Sequence, residues 1–211
     1  TATPLALLIN CPVTNINVTG GTVNILPTTG TVAPDANYLI NSTAPFTNMV
    51  INRGALSASS VQLNSNHLVI QNNLTLTSGD FIANNQNVTV GGNFFVGAGT
   101  TYTPGTNSTI FNGTADQTFT INTAAALALY RLTIDKPAGV TLNFAGSQSA
   151  VNVGNDFRLV LGTMNDNGNV ISIAGNIYNS GIHTGTGRVI LNGAAPQSID
   201  GNGIFNHFEL S

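Results

Sequence analysis

The sequence predicts an all-β protein, a right-handed parallel β-helix (β-solenoid) with about 20 residues per coil and roughly ten coils. Three observations predict this fold. Short runs rich in Val, Ile, Thr and Phe alternate apolar and polar residues, the pattern of half-buried strands. These runs recur about every 20 residues along most of the chain. Turn sequences such as SGD, GGN, NDNG and NSG separate them.

Three series of runs follow one another in a fixed order, as the three strands of each coil would. The first series is centred near Val50, Val69, Thr89, Ile110, Thr133, Asn152, Ser172, Ile190 and Phe208. The second lies near Thr75, Phe95, Thr118, Thr141, Arg158, Ile177 and Ser198. The third includes Ile82, Tyr102, Met164 and His183. Because strand residues alternate between two faces, the inward positions are predicted at Leu74, Leu76, Val88, Val90, Phe94 and Val96.

A longer unit of about 80 residues occurs twice in the chain. NVTVGGNFF at 87–95 matches VISIAGNIY at 170–178, and TIFNGTADQTF at 109–119 matches VILNGAAPQSI at 189–199. The alignment makes Phe94 and Ile177 equivalent inward residues, and both are predicted to be buried.

The repeats define the domain organisation. Residues 46–211 form the predicted β-solenoid, made of super-repeats 46–129 and 130–211. Residues 1–45 are less regular and hold five of the eight prolines, so they form either an irregular N-terminal cap or coils of an adjoining unit. The segment Thr123–Leu129 (TAAALAL) departs from the pattern, and a short helical turn or a bulged corner is expected there.

Composition excludes several classes of function. Charged residues make up only 6% of the chain, with five Lys and Arg in total, so no basic surface for nucleic acid is expected. No apolar run approaches the ~18 residues of a membrane-spanning helix, so no membrane insertion is expected. Cys11 is the single cysteine, which excludes an intrachain disulfide. Polarity comes instead from 30 Asn and 27 Thr, and corner asparagines are expected to hydrogen-bond neighbouring coils.

Several phrases resemble the repeats of very large surface proteins of Bacteroidota. They are GNFF, GNIY, TIFNGTADQTF and, above all, YRLTIDKPAGVTL at 130–142. Similar phrases recur many times in those proteins, which are typically exported by the type IX secretion system. They act as adhesins, gliding-motility adhesins or extracellular scaffolds. The resemblance covers residues 46–211 and implies export and a cell-surface location. It implies no catalytic residue.

The acidic residues form no repeated column, so turn and cap roles are expected for them. The best candidate for a catalytic carboxylate pair is Asp156 with Asp166, near Arg158, although the two acids fall on different predicted strands. The turn Asp166-Asn167-Gly168 offers oxygens to calcium, but a plain turn is the favoured interpretation. The histidines are scattered without metal-ligand spacing, at His67, His183 and His207.

Aromatic and threonine side chains are the remaining candidates for a binding surface. Exposed rings could stack on sugars at Tyr102, Tyr130, Tyr178 and Phe205, although most aromatic residues of the chain occupy inward positions. Thr-x-Thr pairs are typical of ice-binding solenoids, but here they fall in different series and out of register.

The sequence therefore predicts no catalytic residue, cofactor or metal site. The first hypothesis is a non-enzymatic, secreted or cell-surface rod that spaces or presents adhesive parts. Its partners are then neighbouring repeats of a longer chain or identical subunits, and cell-surface or substratum polysaccharide is a further candidate. A filament subunit that polymerises end to end is the second hypothesis. A carbohydrate-active β-helix enzyme is the third, and clustered carboxylates in a groove would distinguish it.

Overall fold

A computed structural model describes residues 5–12, 15–26, 37–53, 60–147 and 150–211. These residues form strands and no α-helix, which confirms the all-β class. In chain order the strands are β1 (Leu5–Ile9), β2 (Thr22–Ile25), β3 (Tyr38–Ser42), β4 (Asn48–Asn52), β5 (Ser60–Leu63), β6 (Leu68–Ile70), β7 (Leu74–Ile82), β8 (Val88–Val90), β9 (Phe94–Thr103), β10 (Ser108–Phe111), β11 (Gln117–Ile121), β12 (Leu127–Leu129), β13 (Arg131–Asp135), β14 (Thr141–Ala145), β15 (Ala150–Val153), β16 (Phe157–Leu161), β17 (Thr163–Asn165), β18 (Val170–Ile173), β19 (Ile177–Asn179), β20 (Ile182–Thr184), β21 (Arg188–Leu191), β22 (Ile199–Asp200) and β23 (Phe208–Leu210).

The strands assemble into three parallel sheets. The eleven-stranded sheet follows the order β1-β3-β5-β7-β9-β11-β14-β17-β20, with β2 paired to β4 and β4 to β7. The seven-stranded sheet has the order β22-β19-β16-β13-β10-β8-β6, and the five-stranded sheet has the order β12-β15-β18-β21-β23. Successive strands of a coil, such as β15, β16 and β17, join different sheets, and the next strand returns to the first of them. This winding confirms the predicted parallel β-solenoid.

The length of a coil varies along the stack. The coil that separates Val170 from its partner Arg188 is short, whereas the coil that separates Asn52 from Ser78 is longer than the predicted period. The stack has about eight turns rather than the predicted ten, because the corners of many coils carry longer loops.

The described strands that precede residue 46 join the same stack. Leu5 pairs with Tyr38 across an interval longer than one ordinary coil, and Thr22 pairs with Asn48. Through these β1–β3 and β2–β4 pairings, the described strands of residues 1–45 belong to the eleven-stranded sheet.

The core is a continuous column of inward side chains. All six residues predicted to point inward have 0% exposure, namely Leu74, Leu76, Val88, Val90, Phe94 and Val96. Aromatic rings stack through the column, with ring centres of Phe94 and Phe119 5.1 Å apart and those of Phe119 and Phe144 5.5 Å apart. The predicted inward register is therefore confirmed, including Ile177, which is 1% exposed.

The long sequence repeat relates strands of different sheets. Phe94 lies in β9 of the eleven-stranded sheet, whereas its sequence equivalent Ile177 lies in β19 of the seven-stranded sheet. Val88 of β8 in the seven-stranded sheet likewise corresponds to Ile171 of β18 in the five-stranded sheet. The motif keeps its inward and outward positions on every side of the coil, because strand alternation is the same in each sheet. In these two cases, the strand of the second unit lies in a different sheet of the coil from its sequence equivalent in the first unit.

Corner asparagines connect successive coils as predicted. The Oδ1 atom of Asn73 accepts the backbone N–H of Asn93, and the Oδ1 atom of Asn93 accepts that of Thr118, both at 2.8 Å. The Oδ1 atom of Asn176 accepts the N–H of Ser198, also at 2.8 Å. Each side chain satisfies a backbone donor that lies one coil away. This role explains why a chain with so few charges is rich in asparagine.

Of the two alternatives expected at TAAALAL, the helical turn is wrong, and the segment forms a corner that leads into a strand. The chain bends at Ala124 and Ala125 and then forms β12, in which Leu127 and Leu129 are buried and Ala128 is exposed. The pairing of Leu127 with Val151 gives the segment a place in the five-stranded sheet. Alanine has the highest helix propensity of any residue, but burial of the two leucines and the ladder with β15 outweigh it.

Candidate functional site

The charged residues that remain on the surface concentrate on one part of the seven-stranded sheet. Arg53 and Lys136 are buried, at 6% and 1% exposure. Among the described cationic side chains, Arg131, Arg158 and Arg188 lie outside the core. Two of these three arginines lie on the seven-stranded sheet, next to two of the four tyrosines of the chain.

Strand alternation places these side chains in one outward row. Arg158 pairs with Tyr178 and Tyr178 with Asp200 across β16, β19 and β22. Phe157 and Ile177 are buried, so the residues that directly follow them must face outward. We call this surface the arginine–tyrosine face, defined by Tyr130, Arg131, Asp156, Arg158, Tyr178 and Asp200.

Contacts within the arginine–tyrosine face hold its side chains in place. The guanidinium of Arg158 lies 4.8 Å from the ring centre of Tyr178, and that of Arg131 lies 4.8 Å from the ring centre of Tyr130. The Nε atom of Arg131 is 3.7 Å from the Oδ2 atom of Asp156. These side chains are 40% and 35% exposed, so the ion pair orients the groups more than it stabilises the fold.

A shallow cavity of about 200 Å³ opens on this face. Its polar lining comes from Asp156, Arg158, Asn176, Tyr178, Ser198 and Asp200. Carboxylates accept hydrogen bonds, the guanidinium donates them, and the amide and hydroxyl groups do both. Together with an aromatic ring, this set of groups is suited to a ligand rich in hydroxyl groups. Two of the sequence candidates, Asp156 and Tyr178, therefore lie in one site.

The structure does not bring Asp156 and Asp166 together as a catalytic pair. Asp156 is partly exposed on the outside, and its Oδ1 atom accepts the backbone N–H of Asn176 at 2.9 Å. Asp166 is 0% exposed and points into the interior of the coil after β17. The two carboxylates therefore share no surface on which a substrate could contact both.

Asp166 instead forms a buried pair with His183. Its Oδ2 atom is 2.7 Å from the Nε2 atom of His183, and both side chains have 0% exposure. Its Oδ1 atom accepts the backbone N–H groups of Gly168 at 2.9 Å and of Gly187 at 2.8 Å. Both carboxylate oxygens are used within the protein. Alternation within β20 would place Ile182 inward, so only the structure shows that His183 faces the interior, where it pairs with Met164 across β17 and β20.

The other calcium and zinc candidates take structural positions. Asn167 and Gly168 have φ values of 48° and 85°, as expected for the plain turn that the sequence favoured. The Nδ1 atom of His67 accepts the N–H of Asn87 at 2.9 Å, and the Nδ1 atom of His207 lies 2.9 Å from the carbonyl oxygen of Gly187. Within the described ranges, no three His, Cys, Asp or Glu residues are grouped so that they could hold a metal ion.

The remaining aromatic candidates divide between the core and the surface. Tyr102 is 6% exposed, and its hydroxyl is hydrogen-bonded to Thr109 and Asn107, at 3.0 and 3.1 Å. Burial raises the pKa of Tyr102. Tyr130 and Phe205 are half-buried. The hydroxyl of Tyr130 accepts a hydrogen bond from Asn155 at 2.9 Å, which fixes the edge of the arginine–tyrosine face.

A buried lysine is the largest feature that sequence reasoning missed. The Nζ atom of Lys136 donates to the carbonyl oxygens of Gly113 and Ala115, both at 3.0 Å, and to the Oε1 atom of Gln117 at 2.5 Å. Burial lowers the pKa of Lys136 to about 8, and the nearby carboxylate of Asp116 opposes this shift. The recurrence of Gln in the matching ADQT and APQS motifs was the available signal.

No family model, curated protein or solved structure matches this chain. In the part of the chain that the structure describes, no helix is long and apolar enough to cross a membrane.

Proposed function

We propose that this chain is a stiff, non-enzymatic segment of an extracellular surface protein, and that it spaces or presents adhesive parts. The observation that carries the proposal is the parallel stack of coils around one continuous core. Seven strands from β6 to β22 stack in a single sheet, and a second sheet runs beside it over most of that length. The likeness of its repeats to Bacteroidota surface proteins supports an extracellular location.

Stiffness follows from how each coil is held. A coil is bonded to its neighbours through backbone ladders on more than one side, so bending the rod would break hydrogen bonds on several sides together. The low charge content also avoids repulsion between like charges stacked one above another. Such a rod transmits force between its two ends with little change of shape.

The arginine–tyrosine face is the proposed adhesive surface, and polysaccharide is the proposed partner. The cavity between β16, β19 and β22 combines hydroxyl-binding groups with the ring of Tyr178. Neighbouring strands lie about 4.8 Å apart, so side chains on successive coils can contact successive parts of one extended chain of sugars. Binding by shallow contacts of this kind suits adhesion, in which many weak sites act together.

The location is tested in the source organism. An epitope inserted at the exposed Asn84–Asn85 turn between β7 and β8 should be labelled by antibody on intact cells and removed by external protease. Labelling only after lysis would overturn the proposal. A strain that lacks the protein should show reduced attachment to the surfaces that the parent strain colonises.

The adhesive surface is tested with purified protein and a panel of insoluble polysaccharides. Tyr178→Ala should lose most of the retained binding, since it removes the ring and the support of Arg158. Thr89→Ala is the matched control, because Thr89 lies in the same outward row at β8 and does not line the cavity. Equal retention of the two variants on the polysaccharides would show that the arginine–tyrosine face is not the adhesive surface.

The same purified protein and polysaccharides also test the two alternative functions, a filament subunit and a carbohydrate-active enzyme. A filament subunit would stack through the outer edges of terminal strands such as β22 and β23, so its sedimentation coefficient would rise with protein concentration. A carbohydrate-active enzyme would release reducing ends from the polysaccharides that it binds. Either result would replace the proposed rod with the corresponding activity.

A further inference from the structure

The five-stranded sheet begins at β12, part-way along the stack, and the strand before it on that side does not pair with it. Among the described strands, β12 pairs with β15 and with no other strand. One coil earlier, the second half of β9, residues 99–103, pairs with β7. The first half of β9 pairs with both β7 and β11, so the ladder is interrupted only where the second half of β9 faces β12.

These two strand edges border a cavity of about 400 Å³, which is lined by residues 98–102 and 123–128. We call it the β9–β12 slit. Backbone hydrogen bonds close the slit at both ends. The N–H of Asn122 donates to the carbonyl oxygen of Val96 at 2.8 Å, and the N–H of Arg131 donates to that of Asn107 at 3.2 Å. The slit is therefore a local separation of two coils that are joined on either side of it.

Backbone groups of both strands face the slit. Successive residues of a strand direct their N–H and C=O groups to opposite edges. The carbonyl oxygen of Thr103 accepts the N–H of the residue after β7 at 2.8 Å, so the backbone groups of Tyr102 point toward the slit. The carbonyl oxygen of Leu129 accepts the N–H of the residue after β15, also at 2.8 Å, so those of Ala128 point toward the slit from the other side. Each wall thus presents backbone donors and acceptors.

The side chains that line the slit are small and uncharged. Apart from Tyr102 and Leu127, the lining consists of Gly, Ala and Thr residues. The two larger side chains are 6% and 4% exposed and belong to the core. This lining contains no exposed ring to stack on a sugar and no ionic group to bind its hydroxyls. The ligand that matches it is another extended backbone, which offers both donors and acceptors at strand spacing.

We propose that the β9–β12 slit binds an extended segment of a partner polypeptide, which adds a strand to the free edge of β12. The added backbone exchanges hydrogen bonds with Ala128 and Tyr102. Because β12 has three residues, the pairing extends over about 10 Å at ~3.3 Å per residue. Alternate residues of the segment face the buried Tyr102 and Leu127, so these positions require small apolar side chains such as alanine.

This peptide site is distinct from the arginine–tyrosine face. The slit lies between the eleven-stranded and five-stranded sheets, whereas Arg158 and Tyr178 lie on the seven-stranded sheet. The two surfaces also differ in chemistry, because the face offers charged groups and a ring, and the slit offers backbone groups between small side chains. One coiled rod can therefore bind a polysaccharide on one side and a polypeptide on another.

The test uses the whole chain and an acetylated, amidated peptide of small uncharged residues, Gly-Ser-Thr-Ala-Thr-Ser-Gly. Hydrogen exchange is followed by NMR at single amides. In the free protein, the amide of Ala128 should exchange faster than that of Leu129, which faces β15. With peptide at ~10 times its dissociation constant, exchange at Ala128 and Tyr102 should slow about tenfold.

The matched control is the same peptide with its alanine nitrogen methylated. This change keeps the side chains and removes one backbone donor, so the methylated peptide should give no protection. Equal protection by the two peptides, or no protection by either, would overturn the proposal. Equal exchange at Ala128 and Leu129 in the free protein would also overturn it, because the edge of β12 would then be paired already.

A pair of variants tests the wall of the slit. Ala128→Pro removes the N–H that faces the slit and leaves the groups that pair with β15. Ala128→Val keeps that N–H, and the side chain at this position is exposed. Peptide protection of Tyr102 should be lost in the proline variant and kept in the valine variant. Equal protection in both would overturn the proposal, and if Ala128→Pro does not fold, the two peptides on the unmutated protein decide.

Sedimentation without peptide tests a second copy of the chain as the occupant. The proline and valine variants should sediment alike at every protein concentration. Self-association that only the proline variant loses would show that another copy fills the slit, and it would overturn the assignment to a separate partner. None of these measurements depends on cell-surface location or on polysaccharide binding, so failure of the proposed function is detected separately.

Discussion

At the scale of single residues, the interior of this solenoid combines an aliphatic and aromatic column with a few polar residues that are bonded to partners. Lys136 and Asp166 are 1% and 0% exposed, and each makes at least three polar contacts. Burying a charge without such partners would cost several kcal/mol. The coils therefore accommodate these charged side chains where loops from neighbouring coils supply matching groups.

The inward register is tested by a pair of neighbouring substitutions. Phe94→Ala should lower the free energy of unfolding by about 3–5 kcal/mol, because Phe94 is fully buried against Phe119. Phe95→Ser should cost much less than Phe94→Ser, because Phe95 is only half-buried on the opposite face of β9. Urea unfolding of the two serine variants measures the difference. Greater damage from Phe95→Ser would contradict the register.

The buried Asp166–His183 pair is tested by comparing the unfolding free energies of two substitutions of Asp166. Asp166→Leu should cost about 3–5 kcal/mol of unfolding free energy, because it leaves His183 and two backbone N–H groups without their acceptor. Asp166→Asn should cost clearly less, since its amide oxygen can still accept from Gly168 and Gly187. Denaturant unfolding of both variants gives the comparison. Similar losses in the two would show that the carboxylate charge, and not these hydrogen bonds, matters.

The lowered pKa of Lys136 predicts that the unfolding free energy of the protein rises with pH. Its pKa is about 8 in the folded protein and 10.5 in the unfolded chain. Between these values the unfolded chain binds more protons, so the unfolding free energy should increase as pH rises above about 8, by at most ~1.4 kcal/mol per pH unit. Burial raises the pKa of Tyr102 from 10.0, which acts in the opposite direction at higher pH. The measurement therefore covers pH 7–10.

The control for this pH effect is Lys136→Met. This variant should lose the rise between pH 8 and pH 10, whatever its stability at neutral pH. An unchanged slope in Lys136→Met would assign the rise to other groups.

At the scale of secondary-structure elements, coils are joined as much at their corners as along their strands. Asparagine or aspartate oxygens accept backbone N–H groups of the next coil at several corners, and Asp116 accepts from Thr141 as Asn93 accepts from Thr118. β12 also depends on its neighbours, because the segment TAAALAL forms a strand through burial of Leu127 and Leu129 and pairing with β15. Elements of this fold are therefore stable through contacts between coils.

The corner hydrogen bond is tested at Asn93. Asn93→Ala should cost about 0.5–1.5 kcal/mol, because it removes the acceptor of the Thr118 N–H. Asn93→Asp should be close to neutral, since a carboxylate serves the same purpose at Asp116. Thermal unfolding of the two variants distinguishes them. If the aspartate variant is as unstable as the alanine variant, the corner contributes through something other than this acceptor.

At the scale of the whole molecule, about eight turns at a spacing of ~4.8 Å give a stack of roughly 40 Å. Its stability is the sum of coil interiors and the interfaces between neighbouring coils. The polar interior contacts of Lys136 and Asp166 are made with groups of the protein itself.

Chelation is therefore expected to leave the molecule unchanged. EDTA should not alter the thermal midpoint beyond experimental error, because the oxygens of Asp166, the best calcium candidate, are bonded to His183, Gly168 and Gly187. Differential scanning calorimetry with and without the chelator makes the measurement. A fall of several degrees would reveal a structural cation.

The sequence by itself determined the strands, their inward and outward faces and the parallel coil. Those features depend on alternation and turn residues within short segments, as at Phe94 and Phe95, and need no knowledge of distant partners. It also indicated Asp156 and Tyr178 as candidates, but not that they line one cavity.

Only the tertiary structure decided which sheet each strand joins and which polar residues meet. Coil length varies along the stack, so a few residues added at a corner change the sheet in which a motif lies. This variation moved Ile177 to a different side of the coil from Phe94, although both remain inward. Lys136 and Gln117 likewise meet because they are one coil apart in space, a relation that local sequence does not encode.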